Sequence, residues 1–407
     1  MSKKVPELRF KGFHDVWENR KLGEVFEQTS EYINPQEEDI ELYSLTIEKG
    51  LTQKTEKYDR SFLVKKEDKF KKVNPNDFVY NPMNITLGAV GFNETGYSVA
   101  VSGYYITMKI NSNFNNQYFK IWLSSPQAIY SYRKYATGSL KEKQRVQFPT
   151  FSQIKIKVPS FEEQQKIGAL FKQLDDTISL QQKLVEQYQQ YKKAMLQKMF
   201  PQKGERVPKL RFKGFNDEWK RYQLGDISDK VTEKNKGNVY SETFTNSAEH
   251  GIISQRDFFE KDISNKNNLD GYYIVRPGDF VYNPRISNLA PVGPIKRNNL
   301  GRTGVMSPLY YVFRVHDVVN KDFLEAYFSS TGWHKFMKLN GDTGARSDRF
   351  AIKDSVFRQM PIPLPSTEEQ QKIGIFFKQL DDTIALHQKK LENYKQLKKA
   401  LLQRMFV

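Results

Sequence analysis

No cysteine occurs among the 407 residues. That absence excludes disulfides, cysteine nucleophiles, thiolate zinc sites and iron–sulfur clusters, and it fits a reducing cytoplasm. No stretch of roughly 18 or more apolar residues is present, so no membrane-spanning helix is expected. The opening residues MSKKVPELRFKGF carry charge without an apolar segment, so no secretory signal is read there. No GxxxxGK[ST] loop occurs, which argues against ATP hydrolysis by this chain. The histidines, His14, His250, His316, His334 and His387, lie far apart and lack metal-ligand spacing.

Aromatic residues, by contrast, are abundant: 29 Phe and 22 Tyr, within an aromatic content of 14%. Together with 38% hydrophobic residues, they predict packed, folded structure over a length that suits two or three domains. The formal net charge is +17. A surplus of this size attracts a polyanion, most commonly nucleic acid in the cytoplasm. An acidic protein partner is the other reading.

The chain is written twice. VPELRFKGFHDVW (5–17) returns as VPKLRFKGFNDEW (207–219), and DFVYNP (77–82) returns unchanged at 279–284, both at an offset of 202. Further on the offset becomes 206. PSFEEQQKIGALFKQLDDTI (159–178) recurs as PSTEEQQKIGIFFKQLDDTI (365–384), and YKKAMLQKMF (191–200) as LKKALLQRMF (397–406). The middles diverge, NITLGAVGFNETGYSVAVS against RISNLAPVGPIKRNNLGRTGVMS. A period near 200 residues is far longer than the roughly 20–50 of a solenoid. It indicates a tandem duplication in which the frame was kept and the interior changed.

The repeated segments after Pro159 and Pro365 read as long helices. Ser160 with Glu163, and Ser366 with Glu369, have capping-box spacing. Apolar residues then fall on a, d and e positions, including Ile167, Leu174 and Tyr188 in the first helix and Ile373, Leu380 and Tyr394 in the second. We expect these six to pack helix on helix. A 40-residue helix is about 60 Å long. The first helix leads from the first globular segment to the second, and a two-fold relation sends the second helix back, giving an antiparallel pair. The end of the second helix should then lie near the start of the chain. Gln181 and His387 hold matching polar a positions, either to fix register or as tolerated polar residues at a wet seam. The pair Asp175-Asp176 and its copy Asp381-Asp382 are read as a solvated or partner-facing edge.

The helices carry +1 and +3, leaving +13 on the globular segments and linkers. Those segments read as mixed α and β. SGYYITMKI (102–110) and SPLYYVFRV (307–315) have strand composition. YFKIWLSSPQAIYSYRKYATG (118–138) and FLEAYFSSTGWHKFMKLNGDTG (323–344) read as pairs of helical turns ending in Thr-Gly, with cations following at once. Thr-Gly there is either a helix C-cap or a loop whose backbone approaches phosphate closely. FVYNPM and FVYNPR share Asn-Pro with the Asn-Pro-Pro-aromatic motif of amino-methyltransferases. The second proline and the aromatic are missing, and we read YNP as a strand end and tight turn.

Two variable basic segments alternating with two near-identical helices, each unit opened by LRFKGF…W…LG and each helix by EEQQKIG…F…LDDTI, resemble the DNA-specificity subunit of a type I restriction–modification enzyme. The resemblance covers essentially all of the chain. It implies an α/β (α+β) protein with two target-recognition domains and two long helices forming an antiparallel coiled coil, in an internal pseudo-two-fold repeat. The expected division is 1–158, first recognition domain; 159–200, first helical spacer; 201–364, second recognition domain; 365–407, second spacer. The resemblance further implies a non-catalytic, cytoplasmic chain that reads a bipartite, asymmetric site in double-stranded DNA. Two modification subunits would dock on its helices and methylate adenine with S-adenosylmethionine. Two restriction subunits using ATP and magnesium would join them where the system has them. No cofactor is expected in this chain.

Grooves facing one way on B-DNA recur about every 34 Å, within the reach of such a helix. Candidate DNA contacts are Arg133, Lys141, Lys143 and Arg145 in the first segment, and Arg285, Arg297, Arg302, Arg346 and Arg349 in the second. Two other readings stay open from the residues themselves. One is a self-sufficient methyltransferase or nuclease, disfavoured by the missing motifs. The other is a coiled-coil scaffold for acidic proteins, whose association would lack the steep salt dependence of phosphate contacts.

Overall fold

Strict alternation within one three-residue strand organises each globular segment, called a head below. In the computed structural model, Phe78 and Tyr80 of FVY face one core while Val79 faces a second, smaller one. Phe280, Val281 and Tyr282 divide the same way. Side chains on a strand alternate faces, so a strand buried on both faces tolerates change at none of the three positions. That accounts for the unchanged FVY. The structure describes residues 5–35, 37–54, 69–138, 144–202, 204–259, 269–343 and 348–407.

In the first head, Phe78–Tyr80 lies inside a four-stranded antiparallel sheet, between Ile106–Ile110 and Val90–Phe92, with Phe26–Thr29 at the far edge. The second head repeats this order with Ser228–Lys230, Tyr311–Val315, Phe280–Tyr282 and Ile295–Arg297. Helices Asn116–Trp122 and Pro126–Tyr135, and their counterparts Lys321–Ser329 and His334–Asn340, cover the larger core. A separate two-stranded ribbon closes each head. Glu18–Lys21 pairs with Lys155–Val158, and Lys220–Gln223 with Pro361–Leu364. The chain therefore enters and leaves each head side by side, with Trp17 and Trp219 buried beneath.

The long helices run Phe161–Met199 and Thr367–Arg404. Two compact units share them: Met1–Gln182 with Lys389–Val407, and Lys183–Gln388. In the first unit, Phe171 meets Phe406 with ring centroids 5.9 Å apart, and Asp175 pairs with Lys398. In the second, Phe200 meets Phe377 at 5.9 Å, Tyr188 stacks on His387 at 5.3 Å, and Lys192 pairs with Asp381. Numbers rise on one segment as they fall on the other, so each unit holds an antiparallel helix pair. The backbone N–H of Leu8 donates to the carbonyl of Arg404 (2.9 Å), placing the last helical turn beside the opening motif. Leu210 and Lys198 repeat that bond at 2.9 Å.

Several sequence expectations change at this level. Ile167 and Ile373 join the head cores rather than a helix–helix seam alone. Leu174 and Leu380 are buried, and Tyr188 and Tyr394 are half-buried. Asp175 and Asp381 do not form a free edge: each is the acidic half of the duplicated ion pair just described. The Ser160 and Ser366 hydroxyls accept from the Glu163 and Glu369 amides (3.4 and 3.3 Å), but the glutamate side chains do not close the box. Glu163 takes a bidentate contact from Arg9 of LRFKGF (2.8 and 2.8 Å), and Glu369 from Arg211 (2.8 and 2.6 Å). A fork-on-fork arginine contact outcompetes one neutral amide.

The remainder of EEQQKIG holds the helix to its head. Gln164 accepts from the amide of Asn115 (2.9 Å), and Gln370 from that of Asn320 (2.9 Å). Gly168 and Gly374 face the same asparagines: a Cβ on Gly374 would sit 2.7 Å from Asn320 Oδ1 and 2.9 Å from the Phe323 nitrogen.

Candidate nucleic-acid interface

After FVY the chain turns on Asn-Pro. The Asn81 side chain accepts from the amide of Met83 (3.0 Å), and Asn283 from that of Arg285 (2.9 Å), so each asparagine caps its own turn. The turn then presents a proline carbonyl to an incoming strand. Pro82 O accepts from Val146 N at 3.0 Å, and Pro284 O from Phe350 N at 2.7 Å. YNP is structural, and what it positions is the residue after proline: Met83 in one head, Arg285 in the other.

Thr137 is not a C-cap. The helix before it is capped by Ala136, whose amide donates to Tyr132 O. Thr137 exchanges backbone bonds with Arg145 instead (3.0 and 2.9 Å). In the second head Gly341 caps the helix, and Asp342 exchanges bonds with Ala351 (3.0 and 2.7 Å). Lys141, Lys143 and Arg346 lie outside the described residues.

Of the remaining candidates, two are already neutralised. The Arg297 guanidinium is only 14% exposed and donates to Asp322 (2.6 Å), Glu325 (2.8 Å) and Asn299 (2.7 Å). Arg302 makes a bidentate pair with Glu242 (2.8 and 2.8 Å), which holds that carboxyl below its ordinary range. Both are therefore withdrawn from the set free to meet phosphate, because carboxylates brought to them by folding, from 25 positions away for Asp322 to 60 for Glu242, already take their charge. Beside Arg297, burial pushes the Lys296 ammonium below the usual lysine range.

Arg133 is exposed on the last turn of its helix and donates to Thr86 O (3.2 Å), leaving the rest of its fork outward. Arg145, Arg285 and Arg349 are exposed and have no acidic partner among the described residues. Arg285 and Arg349 stand directly opposite each other. Ile286 N donates to Asp348 O (3.0 Å) and Phe350 N to Pro284 O (2.7 Å), which brackets the two arginines as a non-hydrogen-bonded antiparallel pair. Their side chains leave the same face. Like charges in that relation are destabilising on their own.

Sequence reading missed Lys353. It is exposed and lines an open groove of about 800 Å³ with Pro284, Leu309, Leu339 and Phe350. Its place in RSDRFAIK, after the basic cluster, was the available signal. It also missed Met83, exposed where the second head has Arg285. Among the described residues no cluster of His, Asp or Glu is arranged to hold a metal ion, and no helix is long and apolar enough to cross a membrane.

Comparisons with known proteins agree with this arrangement. The family model described as the type I restriction modification DNA specificity domain matches residues 14–190 and again 216–396. The chain is 26% identical over 196 residues to the HindI specificity subunit of Haemophilus influenzae, covering 47% of this chain and 41% of that one. It is 24% identical over 265 residues to the MjaVIII specificity subunit of Methanocaldococcus jannaschii, covering 62% and 61%. The alignments thus span about two-fifths and three-fifths of these relatives. A crystal structure of a type I restriction–modification S subunit from M. genitalium covers 99% of both chains at a TM-score of 0.64 and 12% identity, a likeness of fold.

Proposed function

We propose that this chain, which belongs to the family of type I restriction–modification DNA specificity domains, reads a bipartite, asymmetric DNA site, one half with each head. One observation carries the reading. The two heads share a sheet, a ribbon and an Asn-Pro turn, yet at the residue this frame presents they differ, Met83 in one and Arg285 in the other. Two unlike reading surfaces in one frame suit two unlike half-sites separated by bases that are not read. The charge of +17 supplies the attraction to phosphate. Catalysis belongs to partners: modification subunits holding S-adenosylmethionine, and restriction subunits holding ATP and magnesium.

Co-expression with the cognate modification subunit, followed by genome-wide mapping of methylated adenine, tests this. A single bipartite motif is expected, and exchanging residues 220–364 for those of another family member should change one half only. Methylation with no shared motif would sink the reading.

The helices supply a docking surface in two copies. Leu180 and Leu386 are repeat equivalents and are 70% and 52% exposed; Tyr191 and Leu397 are likewise equivalent, at 47% and 48%. Each unit therefore shows an exposed apolar residue of this set from each helix, and the duplication suits two identical modification subunits. Leu180→Glu or Leu386→Glu should each reduce the bound modification subunits from two to one, and the double variant to none, by light-scattering mass. Unchanged stoichiometry in the double variant would reject this surface.

A further inference from the structure

We infer that Arg285 and Arg349 read bases rather than phosphates, and that they specify guanines in two neighbouring base pairs of the half-site met by the second head. This rests on the proposed function and adds the identity of bases at named residues.

The argument starts from the backbone. Arg285 is pinned by the Asn283 side chain on its own amide (2.9 Å), and its neighbours are pinned to the strand of Arg349 at 3.0 and 2.7 Å. A non-hydrogen-bonded pair places its Cα atoms about 4.5 Å apart with both side chains on one face. Stacked bases along a strand rise about 3.4 Å per step, so two arginines held this way match two successive base edges.

Residue type points the same way. A phosphate is met adequately by a flexible point charge, which lysine supplies, whereas a planar fork matches the O6 and N7 acceptors of guanine in the major groove. Arginine stands at both positions. The first head differs at this point. Val146 bonds to Pro82 as Phe350 does to Pro284, but Met83 replaces one arginine, and the backbone of Arg145 pairs with Thr137. The framework persists while the donor pattern changes, as expected of positions that read sequence.

The test uses the full chain with its modification subunit and the mapped methylation motif. The 220–364 exchange first identifies the half belonging to the second head. In that half, two adjacent G·C pairs are expected. Arg285→Ala should make one of them degenerate and Arg349→Ala the other, each losing about tenfold or more of the preference for guanine, with the other half unchanged. Arg285→Lys should behave like the alanine variant. Arg285→Met, which installs the residue of the first head, provides a second variant with side-chain bulk retained, for use if the alanine form does not fold. A uniform fall in methylation with an intact motif, rescue by lysine, or a half-site without adjacent G·C pairs would overturn the assignment. Absence of any motif in the unsubstituted protein would instead reject the parent reading.

Discussion

Arg211→Ala should destabilise the unit built around the second head by about 3–5 kcal/mol, because it strips the counter-charge from a carboxylate that cannot reach water. Glu369 is 1% exposed and Arg211 10%. The arginine donates twice to that carboxylate and once more to Asp217 O (2.9 Å), and the hydrogen bond to Glu369 raises the guanidinium pKa. The loss would be read as a shift of one transition in urea unfolding, since a chain with two units need not unfold in a single step. Arg9→Ala should do the same to the other unit, where Arg9 and Glu163 are 14% and 0% exposed. The mechanism makes a sharper demand on the pair. Arg211→Met combined with Glu369→Met should recover most of the stability, because two apolar side chains leave no orphaned charge. A double variant as weak as the single one would refute the argument.

Gly374→Val should cost about 3 kcal/mol or more, at the upper end of overpacking. Glycine within an exposed helix ordinarily gains roughly 1 kcal/mol on replacement by alanine. Here even Gly374→Ala should lose stability, and that reversal of sign is the informative result. The added Cβ would meet Asn320 Oδ1, Asp322 Cβ and Phe323 N at 2.7, 2.9 and 2.9 Å. Asn320 Oδ1 is itself the cap of helix Lys321–Ser329, accepting from Phe323 N at 2.9 Å. Hydrogen exchange at the Phe323 amide should therefore accelerate together with the drop in melting temperature. A stabilising alanine would show that the helix does not press on its head at this point.

The fold was more legible in the sequence than the site. Repetition at two offsets marked the heads and helices, and the a/d stripe marked which faces are buried, because both signals are local and periodic. Ion pairing is neither. Glu163 has the spacing of a capping box, and nothing nearby announces that Arg9, 154 residues earlier, takes its carboxylate. The same blindness put Arg297 and Arg302 among the candidate DNA contacts. Their arginines are visible in sequence, but their carboxylate partners become visible only when strand Ile295–Arg297 is laid against helix Lys321–Ser329 and Arg302 against Glu242. Arg285 and Arg349 were chosen for charge alone. That they face each other across a bridge is a matter of register between segments 64 residues apart, which composition does not encode.

The ribbon that closes each head has a genetic consequence. Because Glu18–Lys21 lies against Lys155–Val158, and Lys220–Gln223 against Pro361–Leu364, everything between is a cassette whose two ends meet at one clasp, with Asn115 and Asn320 as its fixed seats for the long helices. Crossovers between genes that fall in the near-identical flanks would deliver an entire foreign cassette with its two ends already meeting. Selection could then change what is read in a single recombination event, leaving every surface outside the clasp untouched.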